Sequence, residues 1–266
     1  MSTSVGTAYG PPDPLQLAAW QRQLAGAVPA AVLAWAVEVF AGRLVLGSAL
    51  GAEDQVLVQM IASAELSIPV FTLDTGRLFP ECHDLMAQTE ARYGIRIQVF
   101  CPEAAAVEAL VAEHGPTVFR QSVALRQRCC AVRKLQPLRR ALAGKAAWVC
   151  GLRGTQSVTR AEVQVVEWDG ANGLYRICHL AHWTEADVWS YIRTQQVPYN
   201  PLHDRGYPSL GCACCTRPIV AGEGVRAGRW WWEAPEHKEC GLHLRVGAAG
   251  AVTLARRSGP GASVSE

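Results

Sequence analysis

RLVLGSALGAEDQVLVQMIASAEL, residues 43–66, changes its period halfway along. Residues 43–50 form a short apolar run of strand length, and from residue 52 onward apolar side chains recur at Val56, Leu57, Met60, Ile61 and Ala64, the spacing of one helical face. A strand running through SALGAED straight into a helix is the unit from which parallel sheets are assembled. Outward from it the alternation continues. IPVFTL (68–73) reads as a strand, PECHDLMAQTEARYG (80–94) as a helix opened by proline and closed by glycine, and IRIQVF (95–100) as a third strand. Helical stretches around 103–113 and 122–143 lead to the strand AAWVCGL, 146–152. Beyond Gly151, VQVVEW (163–168) and LYRICHL (174–180) read as strands, and TEADVWSYIRTQQ (184–196) as a helix with Thr184 and Asp187 as a capping pair. PYNPLHDRGYPSLGC (198–212), rich in Pro, Gly and Asn, is loop. The expectation is an α/β fold, a mostly parallel sheet flanked by helices, with a mobile C-terminal segment.

A chain of 266 residues, half of them apolar, buries roughly 70–75% of its unfolded surface without covalent staples. One domain is expected over 14–246, between flexible small-residue ends at 1–13 and 247–266. The start, MSTSVGTAYGPPD, has neither the basic nor the apolar region of a signal peptide. The longest apolar run, AVPAAVLAWAVEVFA (27–41), carries Pro29 and Glu38 and falls short of the ~20 residues that span a bilayer. A cytoplasmic protein without a membrane partner is therefore expected. In that compartment ten cysteines point to metal ligation or thiol chemistry for some of them rather than to a disulfide framework.

Charge is sorted along the chain. Residues 114–161 hold ten Lys and Arg and no Asp or Glu, leaving 15 basic against 23 acidic residues elsewhere. One reading is a solvated helix face; the other is a pocket for a small, highly charged anion. A nucleic-acid groove fits less well, because the net charge is only +2 and the basic residues are not interleaved with aromatics.

The turn Ser48–Asp54 lies at the first strand-to-helix junction, where open α/β sheets present backbone N–H groups to an anion. It is neither a P-loop nor G-x-G-x-x-G, so a plain tight turn and a phosphate cradle both remain. Asp74 and Thr75, at the next strand end, can meet ribose hydroxyls or cap a helix.

The cysteines are more specific. Cys129 and Cys130 are neighbours on a helix, so their side chains diverge by about 100° around its axis. Cys212 and Cys215 have the C-x-x-C spacing of a structural zinc pair, which Cys129 and Cys130 lack. An iron-sulfur cluster accepts both arrangements; zinc, and unligated core cysteines, stay open beside it. Lys134 follows Cys130 by four residues, on one helical face, where its ammonium offsets thiolate charge. Downstream, Cys240 stands in EHKECGLHLR, a basic, glycine-containing setting that depresses a thiol pKa and favours a nucleophile over an incidental surface cysteine. Arg226 and Arg229, three apart, can address one anion. Trp230, Trp231 and Trp232 read as anchors for this loop rather than a stacking platform.

Taken together, CC at 129–130, CACC at 212–215, CTRPIVAGEGVRAGRWWWE and KECGLH closely resemble the assimilatory adenylyl-sulfate (APS) reductases, the iron-sulfur branch of the phosphoadenylyl-sulfate (PAPS) reductase family. The resemblance runs from about residue 44 to 245 and includes LDTGRLFPE, GLRGTQSVTR and PYNPLHDRGYPS. It implies an adenine-nucleotide α-hydrolase-like (Rossmann-like) fold. It also implies thioredoxin-dependent reduction of adenylyl sulfate to sulfite and AMP, in sulfate assimilation and cysteine biosynthesis. Cys129, Cys130, Cys212 and Cys215 match the ligands of a [4Fe-4S] cluster that organises and polarises the site rather than carrying electrons, and Cys214 falls at a variable position. Cys240 matches the nucleophile that becomes an S-sulfocysteine. Lys134, Arg160, Arg226, Arg229 and His243 match residues that bind the phosphosulfate, and Ser48, Gly51, Leu73 and Gly151 lie in the matching adenosine loops. The reductant, thioredoxin or a similar dithiol, is expected from another protein, since nothing after Arg245 is long enough to fold.

Two positions depart from the family pattern. The usual Ser-Phe-Ser-Gly is SALG here, so Leu50 offers no hydroxyl and any phosphate contact there rests on backbone N–H groups or Ser48; the usual Gly-Glu-Asp is GEG, with Gly224 in place of an acid. The alternatives are a PAPS or dual-substrate reductase, a tRNA-sulfurating enzyme, whose S-G-G-x-D-S loop SALGAED is not, and a zinc-stabilised nucleic-acid-binding module, which leaves ECGLH unexplained. Cys82, Cys101, Cys150 and Cys178 read as core filler. The oligomeric state, a homo-oligomer included, is left open.

Overall fold

The computed structural model describes residues 12–156, 163–234, 237–238 and 241–242. Arg160, Cys240 and His243 lie outside the described residues, as do residues 1–11 and 247–266 of the two ends expected to be flexible.

Six strands form one sheet in the order β3-β2-β1-β4-β6-β5: β1 Leu44–Ser48, β2 Val70–Leu73, β3 Ile97–Phe100, β4 Ala147–Val149, β5 Val166–Asp169 and β6 Leu174–Ile177. All neighbours are parallel except the edge pair β5 and β6. The short apolar strands follow from this, because a parallel strand covered by helices on both faces needs no polar alternation. β1 is buried at every position but Gly47, and β4 and β6 throughout. Among the helices, α3 Ala52–Ser63, α4 Pro80–Tyr93, α5 Ala104–His114 and α8 Glu185–Gln195 fall where the periodicity places them. Pro80 opens α4 at N1 and Gly94 closes it in the left-handed region at φ 64°. Thr184 and Asp187 form the reciprocal capping box of α8.

Two helices precede the sheet that the periodicity does not announce. Asp13 caps α1, Pro14–Leu24, by accepting the Leu15 N–H, and the apolar run becomes α2, Pro29–Phe40, with Pro29 at N1. Trp20 of α1 packs edge-on against Trp35 of α2 at 5.4 Å and Tyr175 of β6 at 5.2 Å. The run weighed above as a membrane span is therefore a core helix, and among the described residues no helix is long and apolar enough to cross a membrane.

The stretch 122–143 is not one α-helix. It divides into α6 Val123–Cys130, a π-helical segment Ala131–Leu135 and α7 Gln136–Leu142. Pro137 is the second residue of α7. The wider π turn spans Ala131–Leu135 and contains Lys134, so the regular α-helical spacing assumed from sequence does not run through it.

From β1 the chain winds to one side through β2 and β3, then returns to β4 on the other side of β1. The reversal opens a crevice at the carboxyl ends of β1 and β4, the place where open α/β sheets bind ligands. Close approach there requires glycine. A Cβ on Gly151 would stand 2.7 Å from Asp54 Oδ1 and 2.8 Å from Glu53 Cβ. Gly151→Ala is expected to push the two loops apart and lower the melting temperature by a few degrees. Thermal denaturation checks it, and a wild-type melting temperature would show that the loops yield freely.

Candidate active site

A cavity of about 230 Å³ occupies the crevice. Ser48 and Gly51 from the β1 turn, Leu73 from the end of β2 and Gly151 after β4 line its sheet side; Lys134, Arg226 and Arg229 line the other. Leu242, the second residue after Cys240, also lines it. Seven of the predicted binding residues thus come from five separate segments to one cavity. Arg160, Cys240 and His243 fall outside the described residues.

The predicted ligand cysteines adjoin it. Cys129, Cys130, Cys212 and Cys215 are each 6–7% exposed and share one buried apolar cluster with Phe119 and Trp230. Cys212 and Trp230 line the cavity as well, so cluster and cavity are contiguous. Thr75 Oγ1 lies 3.3 Å from Cys212 Sγ, and Arg77 Nη1 donates to Cys214 Sγ at 3.8 Å. Burial pushes the Cys129 thiol up, against the pull of Arg133 and Arg77. The Cys215 thiol is raised by its contact with Cys214 Sγ and by burial, and Lys134 opposes both. Among the described residues no group of three or more His, Cys, Asp or Glu is arranged to hold a single metal ion. The chemistry of the donor set, four sequestered thiols beside cations, fits a thiolate-ligated iron-sulfur cluster.

Trp230 organises the cation wall. Arg126 and Arg229 each lie 4.7 Å from its ring centroid and Lys134 Nζ 5.8 Å. It is 1% exposed, an anchor as the sequence implies, whereas Trp231 is exposed at 37%. Beneath it Arg126 makes a buried two-pronged pair with Glu233, Nε to Oε1 at 3.0 Å and Nη2 to Oε2 at 2.8 Å, and Nη2 also donates to the His237 carbonyl. Arg229 crosses the face of Gly211, where a Cβ would collide with its guanidinium, and donates to the Leu210 carbonyl. Arg226 Nη2 donates to the Lys238 carbonyl at 2.7 Å and Lys238 Nζ to the Ala227 carbonyl at 3.2 Å, which ties down the chain two residues before Cys240.

The β1 turn differs from a phosphate cradle. Ala49 and Gly51 donate their N–H groups to Asp54 Oδ2 at 2.8 and 3.2 Å, and Leu50 donates to Ser48 Oγ at 3.1 Å. Of the two readings left open for this turn, its hydrogen bonds are those of a self-capped tight turn, in which the chain supplies its own acceptors. Leu50 adopts φ 60°, and its buried side chain packs with Cys82 and Leu85. Burial, with Glu53 alongside, pushes the Asp54 carboxyl up to about 7 despite its N–H donors.

Some readings fall elsewhere. Asp74 serves its own turn, accepting from Gly76 N at 2.8 Å and facing His83, while Thr75 lines the cavity. Cys82, Cys150 and Cys178 are buried, but Cys101 is exposed and is not core filler. Reasoning from sequence missed Glu53, Arg153 and His203 as cavity residues. The ion pair of Arg153 with Glu53, 2.8 Å long, spans a hundred residues, and no local pattern announces it.

Comparison with known proteins places this architecture. The phosphoadenosine phosphosulfate reductase domain matches residues 43–218, and the chain belongs to that family. It is 57% identical over 202 residues, 76% of this chain and 79% of the relative, to the adenosine 5'-phosphosulfate reductase of Allochromatium vinosum. The crystal structure of phosphoadenylyl-sulfate reductase from Candida auris, a phosphate complex, superimposes with TM-score 0.68 at 27% identity, covering 77% of this chain and 98% of that one. Candida glabrata FMN adenylyltransferase shares the fold alone, with TM-score 0.52 at 16% identity over 82% of this chain and 72% of that one. The fold class is that of the adenine-nucleotide α-hydrolase-like proteins.

Proposed function

We propose that this protein is an enzyme that reduces adenosine 5'-phosphosulfate to sulfite and AMP, in the assimilation of sulfate toward cysteine. One observation carries the reading: a single cavity at the sheet's switch point has nucleotide-type loops on one side and Lys134, Arg226 and Arg229 on the other, with Leu242 beside them. Ser48, Gly51, Leu73 and Gly151 hold the adenosine. Lys134, Arg226 and Arg229, with Arg160 and His243, hold the phosphosulfate.

The Cys240 thiolate attacks the sulfonyl sulfur; the S–O bond to the phosphate breaks, AMP leaves with that electron pair, and Cys240 carries the sulfonate as S-sulfocysteine. A thiolate of thioredoxin or a similar dithiol then attacks Cys240 Sγ and expels sulfite with two electrons. Its second thiol resolves the mixed disulfide, returning the Cys240 thiolate. Attack of one anion on another needs a preorganised cationic wall, and desolvation within the cavity strengthens it. Cys129, Cys130, Cys212 and Cys215 would hold a [4Fe-4S] cluster, which supplies fixed charge beside Lys134 and rigidity to the wall.

Protein purified without oxygen is expected to be brown, to contain about four irons per chain, and to take label from ³⁵S-APS onto the Cys240 peptide. Thioredoxin should discharge that label as sulfite. Protein that binds APS but acquires no covalent label would sink the proposal.

A further inference from the structure

Trp231 is the one exposed aromatic side chain among the described residues, between Trp230, buried in the site, and Trp232, half-buried against the cysteine cluster. It is not a stray ring. Its centroid lies 4.6 Å from that of Trp232, edge to face, and the Arg120 guanidinium stacks on both indoles, at 5.5 and 5.4 Å, and on Phe119 at 5.8 Å. Arg77 covers the same Phe119 at 4.9 Å. Neither arginine has a carboxylate partner among the described residues, so the surface presents positive charge beside a held aromatic ring. Tryptophan and arginine are the residues on which protein interfaces concentrate their binding energy, and a ring already held in place loses little freedom when covered.

The position of the patch narrows its use. None of Arg120, Trp231 and Trp232 lines the cavity, so the patch does not serve the nucleotide. It does adjoin the segment that carries Cys240: Arg126, stacked on Trp230, donates to the carbonyl of His237, three residues before that cysteine. The other exposed large apolar side chains lie on other parts of the chain, Leu15 and Val28 at the first two helices, Val99 on the edge strand β3 and Val220 in the loop after the second cysteine pair.

We infer that Trp231 and Arg120 form the docking surface for a protein dithiol reductant, the partner that relieves Cys240 of its sulfonate. The inference rests on the proposed reaction and deepens it by naming the surface on which the second half is assembled. The chemistry of the partner follows from the patch: an apolar rim around its thiol covers the indole, and a carboxylate meets the unpaired guanidinium groups. A small dithiol needs no such surface.

Thioredoxin binding to the immobilised protein, measured by surface plasmon resonance at rising salt, reads the surface directly. Trp231→Ala and Arg120→Ala should each weaken binding at least about tenfold, and Arg120→Ala should also flatten the salt dependence. Circular dichroism confirms that each variant is folded. In a single turnover, either variant labelled on Cys240 should be discharged by dithiothreitol at the wild-type rate and by subsaturating thioredoxin about tenfold more slowly. Thioredoxin affinity unchanged in both folded variants, no binding by the wild type, or discharge slowed equally for both reductants would overturn the inference. Failure of APS to label Cys240 would count against the proposed reaction, and the binding measurement decides the docking surface in either case.

Discussion

Cys240→Ser protein is expected to bind APS with affinity close to that of the wild type and to release sulfite at least about 10³-fold more slowly. Two separate barriers produce the loss. A serine hydroxyl stays protonated near neutrality, whereas a cysteine thiol ionises far more readily. Transfer to oxygen, were it to occur, would give a sulfate ester, which has no sulfur–sulfur bond for a dithiol to attack. The second half-reaction is thus closed even if the first leaks. Single-turnover experiments with labelled APS, with and without thioredoxin, follow the two halves separately. Sulfite release at the wild-type rate would remove Cys240 from the mechanism.

Glu233→Ala should be the most damaging single change to the scaffold of the site. The side chains of Arg126 and Glu233 are 0% and 3% exposed. Truncation of the acid leaves the buried Arg126 charge without its carboxylate, at a cost of about 3–5 kcal/mol. Domains of this kind are stable by only about 5–15 kcal/mol in total, so the melting temperature should fall by roughly 10 °C. The damage should also reach the chemistry, because Arg126 stacks beneath Trp230 and Arg229 lies against the same indole. Replacing both partners, Arg126→Met with Glu233→Leu, removes the uncompensated charge and should recover much of the stability. A melting point within about 2 °C of wild type for Glu233→Ala alone would show that the pair does not anchor the wall.

The parts of this fold legible in sequence are those written in local period and local chemistry. Buried parallel strands are short apolar runs, proline and glycine bracket α4, and Thr184 and Asp187 are three residues apart, so each could be read in isolation. α2 could not, because PAAVLAWAVEVF is apolar nearly all round and presents no contrast of faces. For α1 the local signal was the cap-and-proline start at Asp13 and Pro14. The π segment after Cys130 leaves no compositional trace.

The same divide runs through the site. Cysteine pairs and spaced arginines identify themselves by type, and their segments meet at one cavity. Arg126 with Glu233 and Arg153 with Glu53 are separated by about a hundred residues, and only the folded chain pairs them. The β1 turn shows the converse: SALGAED displays its donors in sequence, but not that Asp54 turns back to consume them.

The π-helical segment Ala131–Leu135 works as a phase offset between two tasks on one rod. Upstream of it the helix points cysteines into the apolar cluster; inside it Lys134, and beyond it Leu138, line the cavity. Removing one residue from the segment would look benign locally, since it would restore regular α-helical bonding. It would also turn Cys129 and Cys130 by about 100° relative to everything after them and shorten the rod by about 1.5 Å. Length in these five positions is therefore held as tightly as the identity of Lys134, which lies among them.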